Sequence, residues 1–178
     1  MQFKTKILDG IAIKRTLIRI THEIIEKNKG AKDVCILGVK KRGVPLARML
    51  KENISAFEGI EVPLGVIDAT KHRDDISEEV KNSCIGESIF PCDVKDKVVI
   101  IVDDVLYTGR TARAAIEAVF SFGRPKAIQL AVLIDRGHRE LPLKPDYVGK
   151  NVPTSGQEKI VLLLNETDGE EGVYIYEK

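Results

Sequence analysis

The chain has 178 residues, 43% of them hydrophobic and 31% charged, with a formal net charge of +1. That length is enough for one domain with a full core, and the balanced charge means that nucleic-acid binding would need a local basic patch. No apolar stretch is long enough to span a bilayer and no cleavable leader pattern opens the chain, so a cytoplasmic protein with no membrane partner is expected.

From the amino end, Thr5 to Leu8 reads as a short strand, and Asp9 can cap the helix that follows. Ile13, Leu17, Ile20 and Ile24 form one stripe of a helix over 11–27, with Gly30 as its stop. Arg15, Arg19 and His22 share a different face, which is either a solvated cationic face or a binding one. Val34 to Val39 reads as a buried strand that runs straight into Lys40, Lys41, Arg42 and Gly43, and Pro45 then opens a helix. Three successive cations between a buried strand and a helix start make sense around an anion, although a basic surface turn has the same composition. The three cysteines, Cys35, Cys84 and Cys92, lack metal-ligand spacing, and reduced thiols are expected, Cys35 as plain core.

Val62 to Ile67 reads as a strand interrupted by Pro63 and Gly65. Residues 68–83 then lose apolar periodicity, as an irregular connection or a lid does. His72 and Arg73 are the cations such a lid would carry to a leaving group, and solvated loop residues are the plainer reading. The apolar run from Val98 to Val102 suits a parallel strand buried on both faces, ending at Asp103 and Asp104 on the carboxyl edge of a sheet. Thr108, Gly109, Arg110 and Thr111 then offer hydroxyls, a flexible backbone and N–H groups at a helix start, the chemistry of a phosphate cradle. Paired carboxylates accept hydrogen bonds from neighbouring hydroxyls, and a phosphate beside a vicinal diol describes a ribose 5-phosphate. A helix over 112–122 ends at Gly123 and Pro125, and Ala127 to Ile134 is a further buried strand. It delivers the polar string from Asp135 to Pro142 to the same edge. Residues 143–154 show few periodic signals, and Ile160 to Leu164 and Val173 to Tyr176 read as closing strands.

The string Val99, Ile100, Ile101, Val102, Asp103, Asp104, Val105, Leu106, Tyr107, Thr108, Gly109, Arg110, Thr111 resembles the phosphoribosyl-pyrophosphate (PRPP) motif of the type I phosphoribosyltransferases. Neither a dinucleotide glycine fingerprint nor a Walker spacing is present. Together with the strings over 135–142 and 146–154, it makes the chain similar to the bacterial pyrimidine-operon regulatory proteins, the PyrR family, from Ile7 to about Tyr176. The resemblance implies an α/β fold of the type I phosphoribosyltransferase kind, a single domain over 1–178 with a central, mostly parallel sheet flanked by helices. A small hood, mainly at about 135–155 with N-terminal contributions, and a flexible loop at about 69–83 belong to that expectation.

In activity, the resemblance implies uracil phosphoribosyltransferase chemistry, uracil and PRPP giving UMP and pyrophosphate. Mg2+ would be bound mainly through PRPP, with no protein side chain assigned to a metal. It also implies UMP- or UTP-responsive binding to the leader mRNA hairpin of pyrimidine genes, transcription attenuation, and a homodimer or larger homo-oligomer. A purely metabolic phosphoribosyltransferase without RNA binding is the alternative. Carried over residue by residue, Asp103, Asp104, Arg42 and Arg73 are the catalytic candidates, and Lys40, Lys41, Arg42 and Gly43 the pyrophosphate loop, which in the family often holds a non-proline cis peptide. Ile134, Asp135, Arg136, Gly137 and His138 would face the base. His22, Arg139 and Lys144, with Arg15 and Arg19 beside them, would face RNA. Three departures bear on this. Ile18 stands where relatives carry a small hydroxyl residue, and Lys144 replaces an arginine, keeping charge without the planar fork. Tyr107 occupies the place where purine enzymes carry an acid, and a phenol cannot do that proton work near neutral pH, which disfavours a purine.

Overall fold

The computed structural model describes residues 2–83 and 88–177; Cys84 lies outside them. The elements run β1 (Gln2–Asp9), α1 (Gly10–Asn28), β2 (Val34–Val39), α2 (Gly43–Glu58), β3 (Leu64–Ile67), a 3-10 turn (Thr70–His72) and α3 (Glu78–Ser83). They continue β4 (Val98–Leu106), α4 (Arg110–Phe122), β5 (Ala127–Asp135), β6 (Tyr147–Asn151), β7 (Glu158–Leu163), α5 (Asn165–Asp168) and β8 (Gly172–Glu177).

Five strands form a parallel sheet in the order β3-β2-β4-β5-β6, and β1-β8-β7 form a separate antiparallel sheet. Because the side chains of a strand alternate between faces, the apolar runs of β2 and β4 supply two cores at once. Ile36, Ile100 and Val102 join Ile13, Leu17 and Ile20 of α1 and Leu46 and Leu50 of α2. Leu37, Val99 and Ile101 meet the alanine face of α4, Ala112, Ala115 and Ala118, on the other side. The small side chains of α4 bring its axis close to the sheet, which fixes where its first turn lies over the strand ends.

The helix boundaries have local causes. Asp9 accepts from the Ala12 N–H at 2.7 Å. Lys29 ends α1 in the left-handed region at φ 55°, and the Gly30 N–H reaches back to the Ile25 carbonyl at 2.9 Å.

Several elements differ from the sequence reading. β4 does not end at the acidic pair. It continues to Leu106 because β5 goes on pairing with it, Val105 opposite Ile134 and Leu106 opposite Asp135. The pairing with β2 stops at Gly38 opposite Val102, so only one flank of the acidic pair is open. β6 carries no legible strand pattern in the sequence; it is a short edge strand held parallel to β5. The sequence reading places the hood mainly over about 135–155 with N-terminal contributions. That segment gives β6 to the large sheet, and the second sheet among the described residues is built from the two ends of the chain, β1 with β7 and β8. Residues 69–83, read as a flexible loop, carry the 3-10 turn and α3.

Candidate active site

The site forms where the β2 pairing runs out. Asp103 and Asp104 lie one step past that point, each half-buried. The Asp104 N–H donates to Asp103 Oδ1 and the Val105 N–H to Asp104 Oδ1, both at 2.9 Å, so the carboxylates are pinned to their own backbone. Burial, and then the neighbouring Asp104 charge, push the Asp103 pKa well above the ordinary carboxylate value.

The cationic loop after β2 presses on β4 at this point. A Cβ on Gly43 would sit 2.2 Å from the Val102 carbonyl oxygen and 3.2 Å from Asp103 Cα, so only glycine allows the approach. The Lys40–Lys41 peptide is cis. Arg42 is brought within the electrostatic reach of Asp104, and its guanidinium is bonded to Asp168 in α5. Lys40 Nζ lies 3.5 Å from Asp68.

The segment 108–111, read from the sequence as a phosphate cradle, stands on the other side. Gly109, at φ 94°, turns the chain into the 13-residue α4 with no cap side chain of its own, and the Thr108 hydroxyl accepts the Arg110 N–H at 3.3 Å. The Thr108 carbonyl takes the Glu140 and Leu141 N–H groups at 2.9 and 3.2 Å, tying the 135–142 string to the cradle. A cavity of about 370 Å3 opens here, lined by Arg73, Asp75, Asp103, Thr108, Gly109 and Thr111 among others. Arg73 therefore shares a cavity with Asp103, although Asp75 holds it at 2.7 and 2.5 Å. Arg110 points elsewhere, bridging Asp74 at 2.6 Å and Glu140 at 2.8 Å. His72 turns to α4, its carbonyl accepting from Arg113 at 2.6 Å, and is not brought to the cavity.

The segment assigned to the base is largely used for its own support. Ile134 is buried in the core. Asp135 accepts from the Gly137 N–H at 3.0 Å and from Arg139 at 2.5 Å. Arg136, only 6% exposed, donates to Thr154 Oγ1 at 3.0 Å and to the Glu158 and Ser155 carbonyls at 2.9 and 3.2 Å. Its guanidinium stacks 4.0 Å from the Tyr107 ring centre. His138, at φ 58°, hydrogen-bonds the Thr154 carbonyl. The arginine and histidine are thus committed as braces, and Tyr107 is the exposed face of that stack. Thr154, which receives both, escapes a reading of the sequence; nothing in its local pattern marks a buried acceptor.

The five residues assigned to RNA divide in the same way. Arg15, His22 and Lys144 are exposed, with His22 stacked on Phe57 at 4.4 Å. Arg19 donates to the Val148 and Gly149 carbonyls at 3.0 and 2.7 Å, locking α1 to β6. Arg139 donates to the Leu143 and Tyr107 carbonyls at 3.0 and 2.8 Å besides Asp135. Among the described residues no cluster of three His, Cys, Asp or Glu side chains is arranged to hold a metal ion. Asp103 at the cavity, with Asp104 beside it in the chain, is a hard oxygen donor, which fits a magnesium ion carried on substrate oxygens.

A model of the phosphoribosyl transferase domain matches residues 4–163. The bifunctional protein PyrR of Clostridium novyi is 56% identical over 178 residues, covering 100% of both chains. That of Clostridium acetobutylicum is 58% identical over 99% of each, and that of Deinococcus radiodurans 53% identical over 98% of this chain and 95% of its own. Among solved structures, a hypoxanthine-guanine phosphoribosyltransferase of Bacillus anthracis superposes with a TM-score of 0.74 at 18% identity, covering 98% of each chain. A hypoxanthine phosphoribosyltransferase of Trypanosoma cruzi gives 0.73 at 18% identity, over 98% of this chain and 97% of that one.

Proposed function

The chain belongs to the PyrR family of phosphoribosyl transferases, and from that membership we propose that it is a cytoplasmic uracil phosphoribosyltransferase that also regulates pyrimidine genes by binding leader mRNA. Uracil and PRPP give UMP and pyrophosphate, and UMP or UTP signals pyrimidine supply. The carrying observation is Gly43, whose missing side chain lets a cationic loop abut β4 at Val102 and Asp103 beside two carboxylates, near the N-terminus of α4 and its Thr108 hydroxyl.

In the reaction the uracil N1 forms a bond to ribose C1 and loses its proton, while the C1–pyrophosphate bond breaks. The ring then carries oxocarbenium character and the leaving group carries new negative charge. Mg2+, carried in mainly by PRPP with no protein side chain assigned to it, would supply charge neutralisation of that group. Asp103 and Asp104 accept from the ribose hydroxyls and orient the ring. The α4 N-terminus with Thr108 and Thr111 receives the 5-phosphate. Lys40, Lys41 and Arg42 face the pyrophosphate, and Arg73 joins from the 69–83 segment. Tyr107, on its Arg136 brace, offers an aromatic surface near the base in place of an acid. Arg15, His22 and Lys144 are the RNA contacts, read through exposed loop bases and phosphates, and the chain works as a homodimer or larger homo-oligomer.

The test is an assay of uracil with PRPP, alongside filter binding to the leader hairpin with and without UMP. UMP formation is expected, with a loss of about 100-fold or more in kcat/KM for Asp104→Asn at unchanged melting temperature. UMP should tighten RNA binding by favouring the binding-competent state. Equal turnover by the variant removes the ribose assignment, and no hairpin binding at any UMP concentration leaves the enzyme alone.

A further inference from the structure

Arg42 of the cationic loop is held from outside that loop. Asp168 Oδ2 accepts from Nη1 at 2.5 Å and Oδ1 from Nη2 at 3.0 Å, and Thr167 Oγ1 takes a second bond from Nη1 at 2.8 Å. The carboxylate is fixed in turn, Oδ2 accepting the Leu164 N–H and the Thr167 hydroxyl, both at 2.8 Å. These partners sit on α5, in the connection between β7 and β8 of the small sheet, far along the chain from the loop they grip. An arginine carries five N–H donors, so a bidentate carboxylate and one hydroxyl leave Nε and one Nη2 hydrogen for an anion. A guanidinium ordered beforehand loses less rotamer freedom when the anion arrives.

Resting on the phosphoribosyltransferase reading above, we propose that Asp168, steadied by Thr167, is a positioning residue: it holds Arg42 in the orientation that receives the pyrophosphate group of PRPP and of the product. The small sheet thereby enters the reaction through one ion pair, coupling the two ends of the chain to the leaving-group pocket. Asp168 contacts no substrate in this role and acts through Arg42 alone. A carboxylate that merely cancelled the arginine's charge would have the opposite effect, since its loss would strengthen anion binding.

The experiment compares the native protein with Asp168→Asn, Thr167→Val, Arg42→Ala and the Asp168→Asn/Arg42→Ala pair. Kd for inorganic pyrophosphate with magnesium, Kd for UMP, KM for PRPP and the melting temperature are measured for each. Asp168→Asn should raise the pyrophosphate Kd and the PRPP KM about tenfold, the size of a misplaced charged hydrogen bond, while UMP, which has no pyrophosphate, binds within about twofold of native. Thr167→Val should move the same two constants in the same direction by less. In the Arg42→Ala background Asp168→Asn should add nothing further. Tighter pyrophosphate binding by Asp168→Asn, an equal loss for UMP, or a full second loss in the double variant overturns the proposal. Should Asp168→Asn fold poorly, Thr167→Val carries the same comparison. If the native protein turns over no uracil, the phosphoribosyltransferase reading fails, and the pyrophosphate titration still decides the role of Asp168.

Discussion

At the scale of single residues, Asp103 shows how a site opposes stability. A carboxyl whose folded pKa lies above its unfolded value binds its proton more tightly when folded. Its ionisation therefore costs stability as pH rises from the ordinary carboxylate range, and the cost is complete above the folded value. Asp103 is in this position because burial and the Asp104 charge both disfavour its anion. Asp103→Asn keeps the oxygen that accepts the Asp104 N–H and removes the charge. It should melt higher than native at pH 8, with the gain shrinking toward pH 4. Turnover should fall in the same variant. A melting temperature below native at pH 8 would mean that the anion is stabilised in the fold. Asp168 is the opposite case, since the Arg42 bond holds its carboxyl below the usual range.

At the scale of elements, arginines that read alike in sequence do different work. Arg19 ties α1 to β6, and Arg139 ties the segment after β5 to the carbonyls around Tyr107. Arg110 and Arg113 at the start of α4 hold the 3-10 turn and its following residues through Asp74 and the His72 carbonyl. Arg139→Gln should therefore lower uracil turnover, because it loosens the wall that carries Tyr107. Arg15→Gln with Lys144→Gln touches only exposed positions, so activity and melting temperature should hold. RNA affinity should fall in that pair, and the log–log salt slope should flatten by roughly 0.7–0.9 for each phosphate that no longer meets a cation. Titration of the hairpin at several salt concentrations separates the two outcomes. An unchanged slope excludes these side chains from the RNA surface.

At the scale of the whole molecule, the site stands on two cores, one on each face of the parallel sheet. Ile101, fully buried on the α4 face, lies behind Asp103 and does not itself line the cavity. Ile101→Ala should cost about 2–5 kcal/mol, read from the denaturant midpoint. UMP affinity of the folded fraction at low temperature should stay within about twofold of native. A large loss of UMP binding would show that core and site are coupled through β4. Cys35 sits in the same core with its thiol pushed up to about 12, mainly by burial and then by Cys92, its Sγ 4.0 Å away, an environment that keeps it in the unreactive thiol form.

The sequence by itself determined four of the five parallel strands, the acidic pair, the Thr108–Thr111 turn into α4 and the cationic loop. Each is a contiguous string whose local pattern, an apolar run followed by polar groups, is dictated by burial on both faces of a strand that ends at an open edge. Tertiary structure alone decided the partners. Whether β4 stops at Asp103 depends on how far β5 continues beside it, and Tyr147 to Asn151 is a strand because β5 offers it an edge. Arg136 and Arg139 are spent on carbonyls that a one-dimensional reading cannot see, and Asp168 reaches Arg42 across 126 positions of sequence. A charged side chain carries the same chemistry wherever it stands in a string. Its role follows from which desolvated groups the fold leaves for it to satisfy.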